Sequence, residues 1–187
     1  MPIRALRAAE LTEVEKVFSG GLDITRVRIG EGSSIPNYIG RVGAFFRRTA
    51  APTLNAVTIR NTSYFPVLLV TNDPNQNNYL RDMGWLMHEL THQWQYQHDG
   101  LIYLFQAMFL SPTYVYAPRG EPVNVALRDF SNAGKVFRNF NREQQGDIVR
   151  DYYFHMQQNA DVSAWDGYLK DIRQPPRKGH RRNVTQV

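Results

Sequence analysis

Apolar residues along the chain recur in a few periodic stretches separated by polar turns. The clearest stretch runs from Tyr79 to His98. There Met83, Leu86, Met87, Leu90 and Trp94 recur at steps of three, one, three and four, the signature of one helix face. Gly84, His88, His92 and Gln95 run down a neighbouring face, and the glycine leaves space one turn before His88. Asp99-Gly100 closes the helix, glycine being suited to the left-handed position past a helix end. Residues 3–18 carry Leu6, Ala9, Val14 and Val17 at helical spacing and end at Ser19-Gly20-Gly21, which predicts a first helix. Leu22, Ile24, Val27 and Ile29 alternate with a slip after Ile24, which predicts a bulged strand.

Gly30 to Pro36 reads as a turn, and Tyr38 to Ala50 as a short basic helix bearing Ile39, Val42, Phe45 and Phe46. Residues 56–59 and 67–70 read as strands, and Thr71 to Asn78 as a polar loop. After the long helix, 101–110 is apolar and predicts a buried helix too short to span a membrane, and 111–122 is a proline-rich loop. Asn141 is placed as the N-cap of a helix to about Gln158, with Gln144 at the capping-box position. Asp161 caps a last helix over 162–172. The sum is an α+β fold: a small mixed or antiparallel sheet packed on a central helix, with a mostly helical C-terminal half.

Composition narrows this picture. The 187 residues suffice for one domain with a core, expected over 1–173, followed by a basic, flexible tail over 174–187. There is no cysteine, so any metal must be held by nitrogen and oxygen. Arg4, Arg7, Glu10, Glu13, Glu15 and Lys16 interrupt the first helix, so no secretory signal is expected there. The expected location is the cytoplasm, or the exterior after export without a signal peptide. The net charge of +5 gathers at Arg41, Arg47 and Arg48, and at Arg173, Arg177, Lys178, Arg181 and Arg182. A basic tail could touch nucleic acid or acidic lipid, but its Pro-Pro, Gly and Asn content reads as a solvated end. No specific nucleic-acid partner is expected.

His88-Glu89-Leu90-Thr91-His92 carries the chemistry. Two histidines four apart on a helix point the same way, one turn above the other, and both imidazoles can reach one zinc ion. Glu89 can then act as base toward water at the metal. A catalytic zinc needs a third protein ligand. His98 is ten residues past His88, which turns it about 80° off the face and puts it about 15 Å along the axis. It reaches the same ion only if the helix breaks, and no Gly or Pro offers a break. Glu143 is the better candidate, with Asp147 four residues on along the same helix face and able to accept the spare N–H of a ligand histidine. Arg150 faces the same side and could pair with Asp147 or with a substrate oxyanion. These residues together form a gluzincin arrangement, with the third ligand 51 residues after His92.

Several segments are similar to a known family. Phe18-Ser19-Gly20, Leu22 to Ile29, the basic helix, Asn55 to Ile59 and Met87 to Gln95 resemble the core metallopeptidase domain associated with extracellular contractile injection systems. Trp94-Gln95-Tyr96-Gln97 resembles peptidase domains attached to type VI secretion spike and Rhs-type proteins. The resemblance covers residues 18–97, and Glu143/Asp147 matches the family's Glu-x-x-x-Asp pattern, with Gly146 standing where that family has alanine. It implies a zincin fold, zinc held by His88, His92 and Glu143, Glu89 as base, and a peptidase acting as or processing an exported effector or toxin. Implied partners are a protein or peptide substrate and a secretion-apparatus or immunity protein. Two alternatives stay open: a zinc-bearing binding or toxin-assembly module without turnover, and an amidase of cell-wall peptide.

Overall fold

The computed structural model describes residues 3–35, 56–100 and 115–176. The expected basic helix over 38–50, the expected buried helix over 101–110 and the tail beyond 176 lie outside the described residues. In chain order the elements are β1 (Ile3–Arg4), α1 (Ala8–Phe18), β2 (Arg28–Gly30), β3 (Val57–Ile59) and β4 (Thr62–Tyr64). Then follow α2 (Tyr79–Asp99), α3 (Val123–Asn132), α4 (Arg142–Gln157) and α5 (Asp166–Ile172), with 3-10 turns at Phe137–Asn139 and Ser163–Trp165. The fold is α+β, as the pattern predicts. The sheet is mixed, in the order β1-β2-β4-β3, and the C-terminal half is helical.

The first helix begins later than its hydrophobic spacing predicts. Ile3 and Arg4 pair antiparallel with Gly30 and Ile29, and the helix starts at Ala8. The cause is ionic. Glu10 is fully buried, accepts from the Arg7 backbone N–H at 2.7 Å and binds the Arg4 guanidinium at 2.7 and 2.8 Å. Glu31 takes both guanidinium groups as well as the Leu69 N–H at 3.0 Å. Two buried carboxylates matched by two arginines fix the chain start against the end of β2.

The strand expected over 22–29 shrinks to Arg28–Gly30. The slip after Ile24 marks turns rather than a bulge: Val27 N–H bonds Ile24 C=O, and Asp23 caps Thr25. β2 runs parallel to β4, which forms a hairpin with β3 through Arg60 in a left-handed conformation. The second strand expected over 67–70 therefore lies earlier, at 62–64. Beyond Pro66 the Leu69 and Val70 N–H groups bond the side chains of Glu31 and Asp82 instead of a neighbouring strand, and Leu68 is exposed.

α2 packs on β3 and β4 with one face and on α4 with another. Its expected apolar face is all fully buried: Met83, Leu86, Met87, Leu90 and Trp94. The Trp94 indole N–H donates to Ile172 C=O at 2.9 Å, and that of Trp165 to Ile148 C=O at 3.0 Å, so α5 is tied to α2 and α4 without an orphaned donor. α3 has no counterpart in the expectations, although Val123, Ala126, Leu127 and Phe130 carry its helical spacing. The helix from Asn141 forms as expected: Asn141 accepts from Gln144 N–H at 2.9 Å, and Gln144 returns the bond at 3.2 Å. Asp161 likewise accepts from Ser163 N–H at 2.9 Å, but it starts a 3-10 turn that leads into α5.

Candidate metal centre

α2 and α4 meet along a seam that brings residues 55 and 59 positions apart into contact. The Asn141 cap fixes where α4 begins, and so sets Glu143 and Asp147 opposite His88. Asp147 Oδ1 lies 3.0 Å from His88 Nδ1, and Glu143 Oε2 lies 3.3 Å from His88 Nε2. A Cβ added to Gly146 would fall 2.7 Å from the His88 ring, closer than real Cβ atoms come. Glycine at this one position lets the α4 backbone lie against the imidazole.

The hydrogen-bond network fixes both tautomers. Gln95 donates its two amide protons to Arg142 C=O at 3.0 Å and to Gln145 Oε1 at 2.9 Å. Its Oε1 therefore faces His92 Nδ1, 2.9 Å away, and that nitrogen must carry the proton. Asp147 imposes the same state on His88 Nδ1. Each neutral imidazole then presents a bare Nε2, and these two nitrogens lie 3.2 Å apart. Glu143 Oε1 is 3.5 Å from His92 Nε2. The two bare imidazole nitrogens and the two Glu143 oxygens thus face one another with no hydrogen between them. Such an arrangement is stable only around a cation, a proton or a metal ion.

The spacing suits a small metal. Tetrahedral zinc with bonds of about 2.0–2.1 Å holds its ligand atoms about 3.3–3.4 Å apart. His88 Nε2 and His92 Nε2 lie 3.2 Å apart, Glu143 Oε2 lies 3.3 Å from the first and Glu143 Oε1 3.5 Å from the second, so the carboxylate faces the two imidazoles with one oxygen each. Among the described residues, His88, Glu89 and His92 form a group that could hold a metal ion, each offering a ligand-type atom within 4.8 Å of the others. The Glu89 carboxylate is turned toward β3, where Thr58 Oγ1 lies 2.7 Å from Glu89 Oε2.

Electrostatics of the metal-free site follow from the same contacts. Burial opposes a charged imidazole, yet the hydrogen bonds from Asp147 and Glu143 and the charge of Glu89 outweigh it and push His88 up to about 10. His92 is raised too, against burial, by the charge and hydrogen bond of Glu143. Glu143 shifts the other way: burial would raise it, but the two histidines hold it well below the usual carboxylate range. At pH 7 the metal-free centre thus keeps a proton where a metal would bind. An ion that binds there must expel it, so apparent affinity for added zinc is expected to rise with pH, about tenfold per unit for each proton released, up to about pH 10. Calorimetric titration in buffers of different ionisation enthalpy measures that proton count; a count of zero contradicts the network above.

The other residues singled out from sequence have other partners. His98 does not join the cluster: its Nε2 faces Gly21 C=O at 2.9 Å and its ring stacks on Trp94. Arg150 forms an ion pair with Asp147 and binds Asp151 at 3.0 and 3.1 Å, so its guanidinium is engaged by two carboxylates. The space expected beside Gly84 is filled by the Phe154 ring of α4, which a Cβ would meet at 2.2 Å. Sequence reading places Gln95 on the histidine face without giving it a role, and passes over Thr58 and the steric role of Gly146. Gln95 has a visible signal, an amide three residues after a ligand-type histidine on the same helix. Gly146→Ala tests the seam. Helix propensity favours alanine by about 1 kcal/mol. The His88 contact predicts the opposite for metal: zinc affinity falls about 10–100-fold, the scale of losing an outer-shell partner, read by competition with a chromophoric chelator.

No family model and no solved structure matches the chain. It is 28% identical over 180 residues to the type VI secretion system spike protein VgrG2b of Pseudomonas aeruginosa. That alignment takes in 90% of this chain and 15% of the spike protein, so the chain spans only a small part of its relative's length. Among the described residues, no helix is long and apolar enough to cross a membrane.

Proposed function

We propose that this chain is a zinc-dependent hydrolase that cleaves peptide bonds as the effector module of a type VI secretion system. The observation that carries the chemistry is the meeting of His88 Nε2, His92 Nε2 and the Glu143 carboxylate, whose two oxygens each face one imidazole, at separations of 3.2 to 3.5 Å beside Glu89. His88, His92 and Glu143 would hold the ion, with Asp147 and Gln95 fixing the imidazole tautomers. When bound, zinc lowers the pKa of its water to about 7 and polarises the scissile carbonyl. Glu89 takes a proton from the attacking water and returns it to the leaving amine. β3, an edge strand among the described residues, lies on the Glu89 side of α2 and offers backbone groups to an extended peptide. The delivery role rests on the likeness to a spike protein of that secretion system.

The test is metal analysis joined to cleavage. Purified protein is expected to carry about one zinc per chain, to lose peptide-library cleavage on chelation and to regain it with added zinc. A protein that binds no added zinc ends this reading. Including cell-wall peptides in the library separates peptidase from amidase. A second reading has its own observation, since the donor set joins α2 to α4: zinc could close the fold without turnover, in a module that assembles with the secretion apparatus. Under that reading metal raises thermal stability and no substrate is cut.

A further inference from the structure

β3 and β4 carry small hydroxyl residues where their inner face meets α2. Thr58 and Ser63 are directly paired across the hairpin, both are buried, and their hydroxyl oxygens are 2.7 Å apart. Gln93, also fully buried, reaches Ser63 Oγ with its Nε2 at 2.8 Å. Thr58 Oγ1 in turn lies 2.7 Å from Glu89 Oε2 and 3.3 Å from Glu89 C=O.

Proton counting gives this row a direction. Gln93 Nε2 also bonds Arg28 C=O at 3.2 Å, an acceptor only, so the nitrogen and not the oxygen of the amide faces that side. Its second proton goes to Ser63 Oγ. Ser63 then gives its single proton to Thr58, and Thr58 gives its own to the carboxylate, the nearer and charged acceptor. The row runs one way, Gln93 to Ser63 to Thr58 to Glu89, each donor strengthened by the one before it. This orientation leaves Gln93 Oε1 buried with no partner among the described residues. An orphaned buried carbonyl costs about 1–3 kcal/mol. The fold carries that cost and keeps the row pointed at Glu89.

We infer that Thr58 is a positioning residue: its hydroxyl, aimed by Ser63 and Gln93, anchors one Glu89 oxygen so that the other faces the reacting water. This rests on the proposed hydrolase reading, but its geometry stands in the metal-free protein and can be read there. Thr58→Val keeps the side-chain shape and removes the donor. Thr58→Ser restores the donor.

Two measurements decide it. In crystals of the metal-free protein, Glu89 is expected to keep its place in the wild type and in T58S and to leave it in T58V. With zinc loaded to the wild-type level, T58V is expected to lose about 10–100-fold in kcat at unchanged KM, the scale of a misplaced catalytic group, and T58S to recover most of it. T58V placed on Glu89→Gln is expected to cost nothing further. An unmoved Glu89 in T58V, a T58V kcat equal to the wild type, or a loss that T58S does not rescue overturns the inference. If the zinc-loaded wild type cuts no peptide, the hydrolase reading falls instead, and the Glu89 conformation in the three crystals still decides whether Thr58 holds it.

Discussion

Glu89→Gln is expected to keep zinc at the wild-type content and to lose peptide hydrolysis by about two to four orders of magnitude, the range that a positioned general base contributes. The amide has the shape of the carboxylate and its oxygen can still accept the Thr58 proton. It cannot accept a proton from water. Under the proposed ligand set of His88, His92 and Glu143, which face one another without Glu89, metal content is expected to survive the change. The loss corresponds to about 3–5 kcal/mol of transition-state stabilisation and belongs in kcat under saturating substrate. Zinc content with single-turnover rates checks both halves. A variant that keeps zinc and the biological effect of the wild type would remove catalysis from the account and leave the structural reading of the metal.

The second large effect concerns the third donor. Glu143→Ala takes away the carboxylate that faces both imidazoles and, under the proposed ligand set, is expected to reduce bound zinc to background on dialysis, with hydrolysis lost in parallel. Asp147→Ala provides the scale. It removes only the acceptor that fixes the His88 tautomer, 3.0 Å from Nδ1, and is expected to weaken zinc about 10–100-fold. The order of loss, Glu143→Ala well beyond Asp147→Ala, distinguishes a ligand from its support. Circular dichroism of the metal-free variants keeps folding out of the comparison. Wild-type zinc affinity in Glu143→Ala would exclude it as a ligand.

How much of this was legible in the residues depends on the range of the interaction. α2 was legible because its apolar face is written in local spacing, and His88, Glu89 and His92 are fixed to one another by the helix alone. The start of α4 was legible because Asn141 and Gln144 cap each other across three residues. The proximity of Glu143 and Asp147 to His88 was inferred from their common face, and their separation from it in sequence is bridged only by packing. The pattern misled where side chains satisfy the backbone: Glu10 and Glu31 shorten the first helix, and Glu31 and Asp82 take the N–H groups that a strand over 67–70 would need. α3 was overlooked although its spacing was present. Thr58 and Ser63 carry almost no signal, since two hydroxyls in a short hairpin become meaningful only when Glu89 and Gln93 are seen above them. Gly146 read as a departure from a pattern, and its meaning is steric and visible only with the His88 ring in place.

The close approach of α2 and α4 also sets a limit on how many donors can gather at the seam. Phe154 fills the notch at Gly84 and the His88 ring fills the one at Gly146, so the helices already touch where a methyl group would not fit. An ion such as calcium takes six to eight oxygen donors at about 2.3–2.6 Å, and two of the donors here are imidazole nitrogens. To admit more donors, the helices would have to separate and empty both notches, and the voids would cost packing energy on either side of the site. The spacing of the donors is thus fixed by two absent side chains as much as by the donors themselves.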